Sequence, residues 1–150
     1  MTQEEKQLLL KYLCAILPFC VKGKVETTDA NGNDIKDEGV LNSVFINEYG
    51  KAYICIEGME YELEDFKPYL RPMTSMTDDE FQELHSICPH STINKTNNPM
   101  WIVGISGSDY GRISRVDEIS DFIDWLNEHH FDYRGLIEMG LALEAPEGKS

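Results

Sequence analysis

The chain contains no hydrophobic run long enough to span a bilayer, which argues against an integral membrane protein. Glu4 and Glu5 precede the most apolar stretch, where a secretory signal would carry positive charge. Cysteine is also scarce and shows no paired spacing, so we expect free thiols in a reducing cytoplasm, although an even number leaves disulfides open. The cysteines are Cys14, Cys20, Cys55 and Cys88. These absences predict a cytoplasmic protein that does not enter the membrane.

Positively charged residues are also few. Lysine and arginine number 13 against 27 aspartate and glutamate residues, a formal net charge of −14. Such a field repels phosphate groups and argues against direct binding to nucleic acid or to an anionic membrane. The nearest basic residues form only isolated pairs, Lys22 with Lys24 and Arg112 with Arg115, without the interleaved aromatics of a single-strand groove. We therefore expect the partner to be a protein.

The remaining composition is that of a globular protein, with 41% hydrophobic and 27% charged residues. A chain of 150 residues buries roughly 68–70% of the surface that its unfolded form exposes, which is enough for one core. We therefore predict a single compact domain over residues 1–150. The open alternative is a subdivision into a helix with a β-meander, residues 1–72, and a mixed helical part, residues 73–150.

The first half of the chain has the pattern of one helix followed by short strands. Thr2 and Glu5 form a capping box before an apolar stripe, and Pro18 should end that helix. Alternating apolar and polar residues then predict a strand, and Asn31-Gly32 predicts a tight turn. Three more β-prone runs follow, at residues 40–46, 52–56 and 60–63. The predicted fold class is α+β, a small antiparallel SH3-like barrel or a curled meander with about three helices packed on it.

A proline-containing segment separates this half from the next helix. Because Pro68 and Pro72 fix φ and remove two backbone donors, residues 66–76 are predicted to run extended across the surface as a connector. Thr77 and Glu80 then form a second capping box, which predicts that a helix begins directly after the connector.

The last third is predicted to hold one hairpin and one further helix. Residues 89–99 are predicted as loop, and residues 100–105 as a strand that returns into residues 112–116. Asp117 should cap the following helix, whose apolar residues recur at helical spacing. Glycines divide the remaining chain into short pieces.

One short segment, HSICPH, has residues that suit a metal ion. His85, Cys88 and His90 supply nitrogen and sulfur ligands of the kind that zinc prefers. Their spacing matches none of the common paired zinc motifs, and a fourth ligand would have to come from elsewhere in the chain. A helix end with Cys88 as a small core residue is the simpler interpretation. We therefore predict neither a metal nor a cofactor and keep these three residues as candidates.

A second candidate site lies near the end of the last helix. His129 or His130 could act as a general base, since histidine titrates near neutrality and Asp132 could orient the ring. No nucleophile stands at a diagnostic position beside them. A capped turn, with Tyr133 packed and Arg134 paired to a carboxylate or a carbonyl, explains the same residues more simply. We therefore predict no catalytic residue here.

Two acidic clusters allow a different hypothesis. Carboxylates that repeat along a strand or helix usually form a solvated face. Spaced carboxylates can also imitate a phosphate backbone and occupy the basic groove of a nucleic-acid-binding protein. The first cluster is Glu57, Glu60, Glu62, Glu64 and Asp65, and the second is Asp117, Glu118, Asp121, Asp124 and Glu128.

Two segments carry a resemblance to a known group of proteins. KPYLRPMTSMT, residues 67–77, and HFDYRGLIEMGLALEAPEG, residues 130–148, resemble an uncharacterised family of small proteins encoded by phages and prophages of gut Bacteroides and their relatives. The resemblance implies a phage or prophage protein in which these segments form a frame and the strands present a partner-specific surface. It transfers no catalytic residue. It marks five candidates for an interaction or structural motif: Tyr69, Arg71, Asp132, Tyr133 and Arg134.

The leading hypothesis is a non-enzymatic cytoplasmic protein that binds another protein. One alternative is an acidic nucleic-acid mimic that inhibits a host factor, for which strongly salt-sensitive binding to a basic protein would be diagnostic. The other alternative is a metal-dependent or histidine-dependent hydrolase, built on the histidine and cysteine candidates above.

Overall fold

The structure, a computed structural model, describes residues 1–87, 91–94, 101–105 and 116–146, with the backbone alone at 91–94, 101–105 and 116–119. Its contacts group into two compact units. The sheet unit comprises Met1–Leu70 and Leu136–Ser150, and the helical unit comprises Arg71–Gly135. The α-helices are α1 (Gln3–Ile16), α2 (Asp78–Ile87) and α3 (Val116–Glu128). The strands are β1 (Lys22–Thr28), β2 (Asp34–Ile46), β3 (Ala52–Ile56), β4 (Met59–Glu62), β5 (Phe66–Leu70), β6 (Ser91–Asn94), β7 (Trp101–Ile105) and β8 (Leu143–Glu144).

Helix α1 of the sheet unit begins at the predicted capping box. The Glu5 amide donates to Thr2 Oγ1 at 3.1 Å, and the Thr2 amide donates to the Glu5 carboxylate at 3.2 Å. The helix ends at Ile16, and Pro18 lies in the short 3₁₀ turn that follows. The prediction of this helix is confirmed. Its apolar stripe is fully buried at Leu9, Tyr12, Leu13 and Ile16.

Six strands form one open sheet in the order β4-β3-β2-β1-β5-β8. Strands β1 to β4 pair antiparallel with their sequence neighbours, β5 pairs antiparallel with β1, and β8 pairs parallel with β5. The α+β class is therefore confirmed, with three α-helices and a six-stranded sheet in the described residues. The barrel prediction is wrong in one respect, because the sheet does not close. Closure would join β4 to β8, and β8 offers only two residues for that pairing.

A side-chain hydrogen bond crosses the inner face of the open sheet from β4 to β2. The inner face carries the buried side chains, and on this face Tyr61 Oη donates to Asp37 Oδ2 at 2.7 Å. This hydrogen bond, together with partial burial, raises the pKa of Tyr61 to about 12. A register shift between Leu41 and Ser43 divides β2, which lets its first half approach the hairpin of β3 and β4. Strands β4 and β2, which are not neighbours in the sheet order, are therefore joined by a side-chain contact.

The predicted connector is extended over residues 66–70, as expected, but the prediction that it lies on the surface is wrong. Its first part is strand β5, which lies between β1 and β8 and alternates buried and half-buried residues. Phe66, Pro68 and Leu70 point to the inner face, so the period of two was present but two prolines obscured it. The following residues form a 3₁₀ turn in which Met73 is fully buried. Burial of these apolar side chains therefore outweighs the absence of a proline donor.

The helical unit contains α2 and α3 around an apolar cluster. The predicted capping box of α2 is confirmed, since the Glu80 amide donates to Thr77 Oγ1 at 3.2 Å and the Thr77 amide donates to Glu80 Oε1 at 3.0 Å. Helix α3 begins at Val116, one residue before the predicted cap at Asp117. No helix in the described part of the chain is both long and apolar enough to cross a membrane. The cluster consists of Met73, Met76, Leu84, Phe122, Trp125, Leu126 and Phe131.

A small two-stranded sheet in the helical unit corrects a second prediction. The expected strand at residues 100–105 exists as β7, but it pairs antiparallel with β6, inside the segment that was predicted as loop. The expected partner, residues 112–116, lies outside the described residues except for Val116, which begins α3. The sequence of β6, STIN, is rich in residues typical of turns, so backbone pairing and not side-chain pattern reveals this strand.

Candidate functional site

Arg71 makes both an ion pair and an aromatic contact. Its guanidinium donates to both carboxylate oxygens of Glu80, each at 2.7 Å, in the bidentate geometry that is specific to arginine. The guanidinium also lies over the ring of Phe131, 4.2 Å from the centroid. The side chains of Arg71 and Glu80 are only 18% and 19% exposed. Hydrogen bonding to Arg71, ahead of any other cause, lowers the pKa of Glu80 to about 2.

A stack of aromatic rings continues from this ion pair. Phe131 stacks on Trp125 at a centroid distance of 5.7 Å, and Trp125 stacks on His129 at 4.0 Å. The indole N–H of Trp125 donates to Glu83 Oε1 at 3.1 Å, which ties α3 to α2. His129 Nδ1 lies 2.9 Å from the carbonyl oxygen of Trp125. His129 is therefore engaged through both its ring face and one ring nitrogen in packing the end of the helix.

His130 ends α3 in an unusual way for its residue type. Its amide donates to Asn127 O at 3.1 Å, and the Phe131 amide donates to Leu126 O at 3.0 Å. These two bonds form a Schellman motif, which requires the left-handed conformation that His130 adopts with φ of +59°. Glycine is the usual residue there because a Cβ makes this conformation unfavourable. The structure therefore explains the His129-His130 pair as a helix end.

Substitutions at His130 should separate the backbone cost from the side-chain contribution. His130→Gly and His130→Ala both remove the buried imidazole, but only glycine relieves the left-handed conformation. We expect the glycine variant to be more stable than the alanine variant by about 1 kcal/mol, measured by urea unfolding. Equal stability of the two variants would show that this position carries no backbone strain.

The two segments that carry the family resemblance pair with each other inside each unit. In the helical unit, the Arg71 amide donates to His130 O and the Asp132 amide donates to Arg71 O, both at 2.8 Å. Asp132 is fully buried there. In the sheet unit, Tyr69 pairs with Leu143 where β5 meets β8. Residues 67–77 and residues 130–146 therefore meet along their backbones in both units.

The remaining members of the candidate motif also make structural contacts. Tyr133 Oη donates to Asn127 Oδ1 at 2.9 Å, which joins the turn after α3 to the helix itself. Arg134 is exposed, and its guanidinium lies 5.5 Å from the centroid of the Tyr133 ring. Tyr69 is half-buried on β5, on the face opposite the buried Leu70. These contacts favour a structural interpretation of the motif.

The metal-site candidates are only partly described. His85 is exposed near the end of α2, with its ring 6.4 Å from that of Phe81. Cys88 and His90 lie outside the described residues. Within the residues that the structure does describe, no three histidine, cysteine, aspartate or glutamate side chains are placed to hold a metal ion. The thiols of Cys14, Cys20 and Cys55 are free.

A surface that the sequence analysis missed lies where β2 turns into β3. The aromatic hairpin tip, as we name it, presents exposed apolar side chains at the end of β2 and in the tight turn, and a half-buried tyrosine at the start of β3. Tyr49, within the turn, is 85% exposed, and the rings of Phe45 and Tyr53 stack at a centroid distance of 5.4 Å. The sequence did contain a signal for this surface. Phe45 and Ile46 are adjacent apolar residues at a strand end, and Tyr49 is aromatic in a turn, where residues are usually polar. The tip consists of Phe45, Ile46, Tyr49 and Tyr53.

Comparison with known proteins assigns no function to these surfaces. No family model, curated protein or solved structure matches the chain. Function must therefore be inferred from the described side chains. Beside the aromatic hairpin tip lies a cleft of about 330 Å³, which Tyr49, Lys51 and Glu64 help to line. The Lys6 ammonium pairs with Glu64 at 2.8 Å on its α1 side.

The described part of the second acidic cluster lies on an exposed helix face. Asp121, Asp124 and Glu128 are all exposed, while Phe122 and Trp125 face the apolar cluster. Spacings of three and four residues place the three carboxylates on one side of α3. This arrangement suits a solvated face and is also compatible with the hypothesis of nucleic-acid mimicry.

Proposed function

We propose that this chain is a non-enzymatic protein-binding module of phage or prophage type that acts in the host cytoplasm. Its curled, SH3-like meander is the platform, and the aromatic hairpin tip is the contact surface. The observation that carries the proposal is the exposure of Tyr49, 85%, beside the stacked pair of Phe45 and Tyr53. Tyrosine and other aromatic residues are enriched among the side chains that dominate binding energy at protein interfaces.

The turn that presents Tyr49 is held rigidly. Asn47 Oδ1 accepts from the Tyr49 amide at 3.0 Å and from the Lys51 amide at 2.9 Å, and the Asn47 amide donates to Lys51 O at 2.9 Å. A contact surface that is already ordered loses less conformational entropy when it binds. The hydrogen bonds of Asn47 therefore support a recognition role for Tyr49 beyond simple exposure.

The shape around the tip also suits a protein partner. Tyr49 projects beside the cleft that α1 and the hairpin share, so a convex aromatic and a concave surface are adjacent. Paired lysine and glutamate side chains, such as Lys6 with Glu64, supply polar groups at the side of this surface. An apolar centre with a polar surround is the usual anatomy of an interface.

Photo-cross-linking from the tip provides the test. A photoreactive amino acid at Tyr49 should cross-link one defined host protein in lysate of a Bacteroides host, and that protein is then purified. Tyr49→Ser should weaken its binding by about 2 kcal/mol, roughly thirtyfold in Kd, whereas Tyr49→Phe should retain most of it. Met139→Ser, a change at another exposed apolar residue of the sheet unit, is the matched control.

Two results would remove the proposal. One is the absence of any adduct that depends on Tyr49, and the other is a measured catalytic turnover by the purified chain. A third result would favour the nucleic-acid mimic instead: binding that weakens strongly with added salt, is competed by DNA and is unchanged by Tyr49→Ser. The exposed carboxylates of α3, Asp121, Asp124 and Glu128, would then be the residues to substitute.

A further inference from the structure

The turn between β3 and β4 determines which way the backbone groups of β4 point. Glu57 and Gly58 have φ of +48° and +85°, the type I′ geometry of a two-residue hairpin, and Ile56 pairs with Met59 to close it. The closing pair of such a hairpin is hydrogen-bonded, and hydrogen-bonded pairs recur at every second residue. The backbone groups of Met59 and Tyr61 therefore bond to β3.

The intervening residues of β4 face away from the sheet. By the same alternation, the N–H and C=O of Glu60 and the N–H of Glu62 point to the free edge. Strand β4 is the first strand in the sheet order, and no described strand lies beyond it. Glu60 is exposed. The edge therefore offers two donors and one acceptor to an incoming strand.

The side chains at this edge differ on the two faces of the sheet. Glu60 and Glu62 lie across from Cys55 and Tyr53 on the outer face. Met59 and Tyr61 lie on the inner face, where Met59 is 58% exposed. An added strand would place alternate side chains against two carboxylates on one face and against two apolar groups on the other.

The chain itself shows that the acidic face accepts a cation. Lys51 Nζ lies 2.5 Å from Glu62 Oε1 and 5.8 Å from the centroid of the Tyr53 ring. The carboxylate and the aromatic face together hold one ammonium group. Glu60, one position further along the same face, has no ion-pair partner among the described residues.

Pairing of β4 with a second copy of itself is unfavourable. In an antiparallel pair of β4 edges, Glu60 would stand opposite Glu60 or Glu62 of the other copy, and like charges directly opposite each other destabilise a sheet. The edge also has neither lysine nor proline, two residues that commonly protect sheet edges. A basic strand from a different protein would avoid the repulsion between glutamates and could pair with this unprotected edge.

We propose that β4 accepts an extended segment of the partner protein as a seventh strand, with a lysine or arginine opposite Glu60 and apolar residues against Met59 and Tyr61. This inference rests on the proposed function and names the chemistry of the partner. Main-chain hydrogen bonds supply affinity in such strand addition, and alternate side chains supply specificity.

The test uses an end-capped peptide of about eight residues, a usual strand length, that alternates lysine and valine. It should bind the full chain and slow hydrogen exchange at the amides of Glu60 and Glu62. Methylation of the lysine backbone nitrogens, which face β4, should weaken binding about tenfold through lost hydrogen bonds. Methylation of the valine nitrogens, which face away, should leave binding unchanged. A control peptide with the same lysines and valines, but with the lysines grouped in one half and the valines in the other, should bind weakly.

Variants of the chain provide a second arm. Glu60→Pro removes the outward donor without affecting the bonds to β3, and it should abolish peptide binding. Glu60→Gln retains the donor and should weaken binding a few-fold, mainly at low salt. The Glu60→Lys variant should bind a peptide that alternates glutamate and valine more tightly than the lysine-valine peptide. The unfolding midpoint of each variant verifies that the sheet remains folded.

Several outcomes would overturn strand addition. They are no peptide binding, equal binding of both methylated peptides, no protection of the Glu60 and Glu62 amides, or self-association through β4. The proposed function fails separately, through the cross-linking from Tyr49. If binding of a partner required Tyr49 but was unchanged by Glu60→Pro, the proposed function would stand and only strand addition at β4 would be refuted.

Discussion

Replacing Gly23 with alanine should destabilise the sheet unit by about 3 kcal/mol, the cost of overpacking a tightly packed site. Gly23 lies on the inner face of β1, opposite Pro68 of β5. An alanine Cβ there would overlap the ring of Phe66 and would come within 2.7 Å of Lys67 O. The ring could move only at the expense of the core, and the carbonyl belongs to the β5 backbone. Urea unfolding followed by tyrosine fluorescence measures the loss.

Two further variants show whether this loss comes from space and not from backbone conformation. Gly32→Ala changes a glycine with φ of +81° and open surroundings, so it should cost about 1 kcal/mol through conformation alone. Adding Phe66→Leu to Gly23→Ala should recover part of the stability, since it removes the ring but not the carbonyl contact. A Gly23→Ala variant as stable as Gly32→Ala would contradict the packing argument.

Replacing Arg71 with alanine should destabilise the helical unit by about 2 kcal/mol, because it leaves a partly buried carboxylate without its partner. The substitution removes the bidentate bond to Glu80 and the stacking on Phe131 together. Arg71→Lys retains the charge but neither the bidentate geometry nor the planar stack, so it should recover only a minor part. Urea unfolding followed by tryptophan fluorescence reports on this unit through Trp125.

The same ion pair predicts a dependence of stability on pH. The folded-state pKa of Glu80, about 2, lies below the usual value for glutamate, so the ionised form is the one that stabilises the fold. Its contribution is fully present above the unfolded-state pKa, about 4.3, and is lost as the pH falls through about 2. Arg71→Ala should therefore reduce the loss of stability between neutral and acidic pH.

An exposed ion pair is the matched control. Lys24 Nζ lies 2.8 Å from Glu26 Oε1, close to the 2.7 Å between Arg71 and Glu80. The Lys24–Glu26 pair lies on an open strand face, where salt and water screen it. Lys24→Ala should change neither the unfolding midpoint nor its dependence on pH measurably. An Arg71→Ala variant that behaved like Lys24→Ala would show that Arg71 contributes nothing to the helical unit.

Local sequence signals located the helices and the meander well. The capping boxes at Thr2 and at Thr77 satisfy the first amides of their own helices, so they act within a few residues of chain. The order of β1 to β4 follows from hairpins between neighbouring strands, which the turn residues specify. These features were predictable because their physical causes are local in the sequence.

Strands β5 and β6 and the surfaces depended on distant residues. The proline-containing β5 becomes a strand because Phe66, Pro68 and Leu70 complete the inner face of a sheet that other strands build. Arg71 could be selected as a candidate from the resemblance, but its bond to Glu80 and its stack on Phe131 join positions that are distant in the sequence.

Composition and neighbouring residues were enough to specify the charge, the α+β class, the helix starts and the chain of hairpins. Long-range packing specified the rest: the sheet stays open, residues 67–77 and 130–146 pair along their backbones, and Tyr49 and the β4 edge face solvent. Exposure and pairing depend on which distant residues compete for the same surface. No periodicity within one segment contains that information.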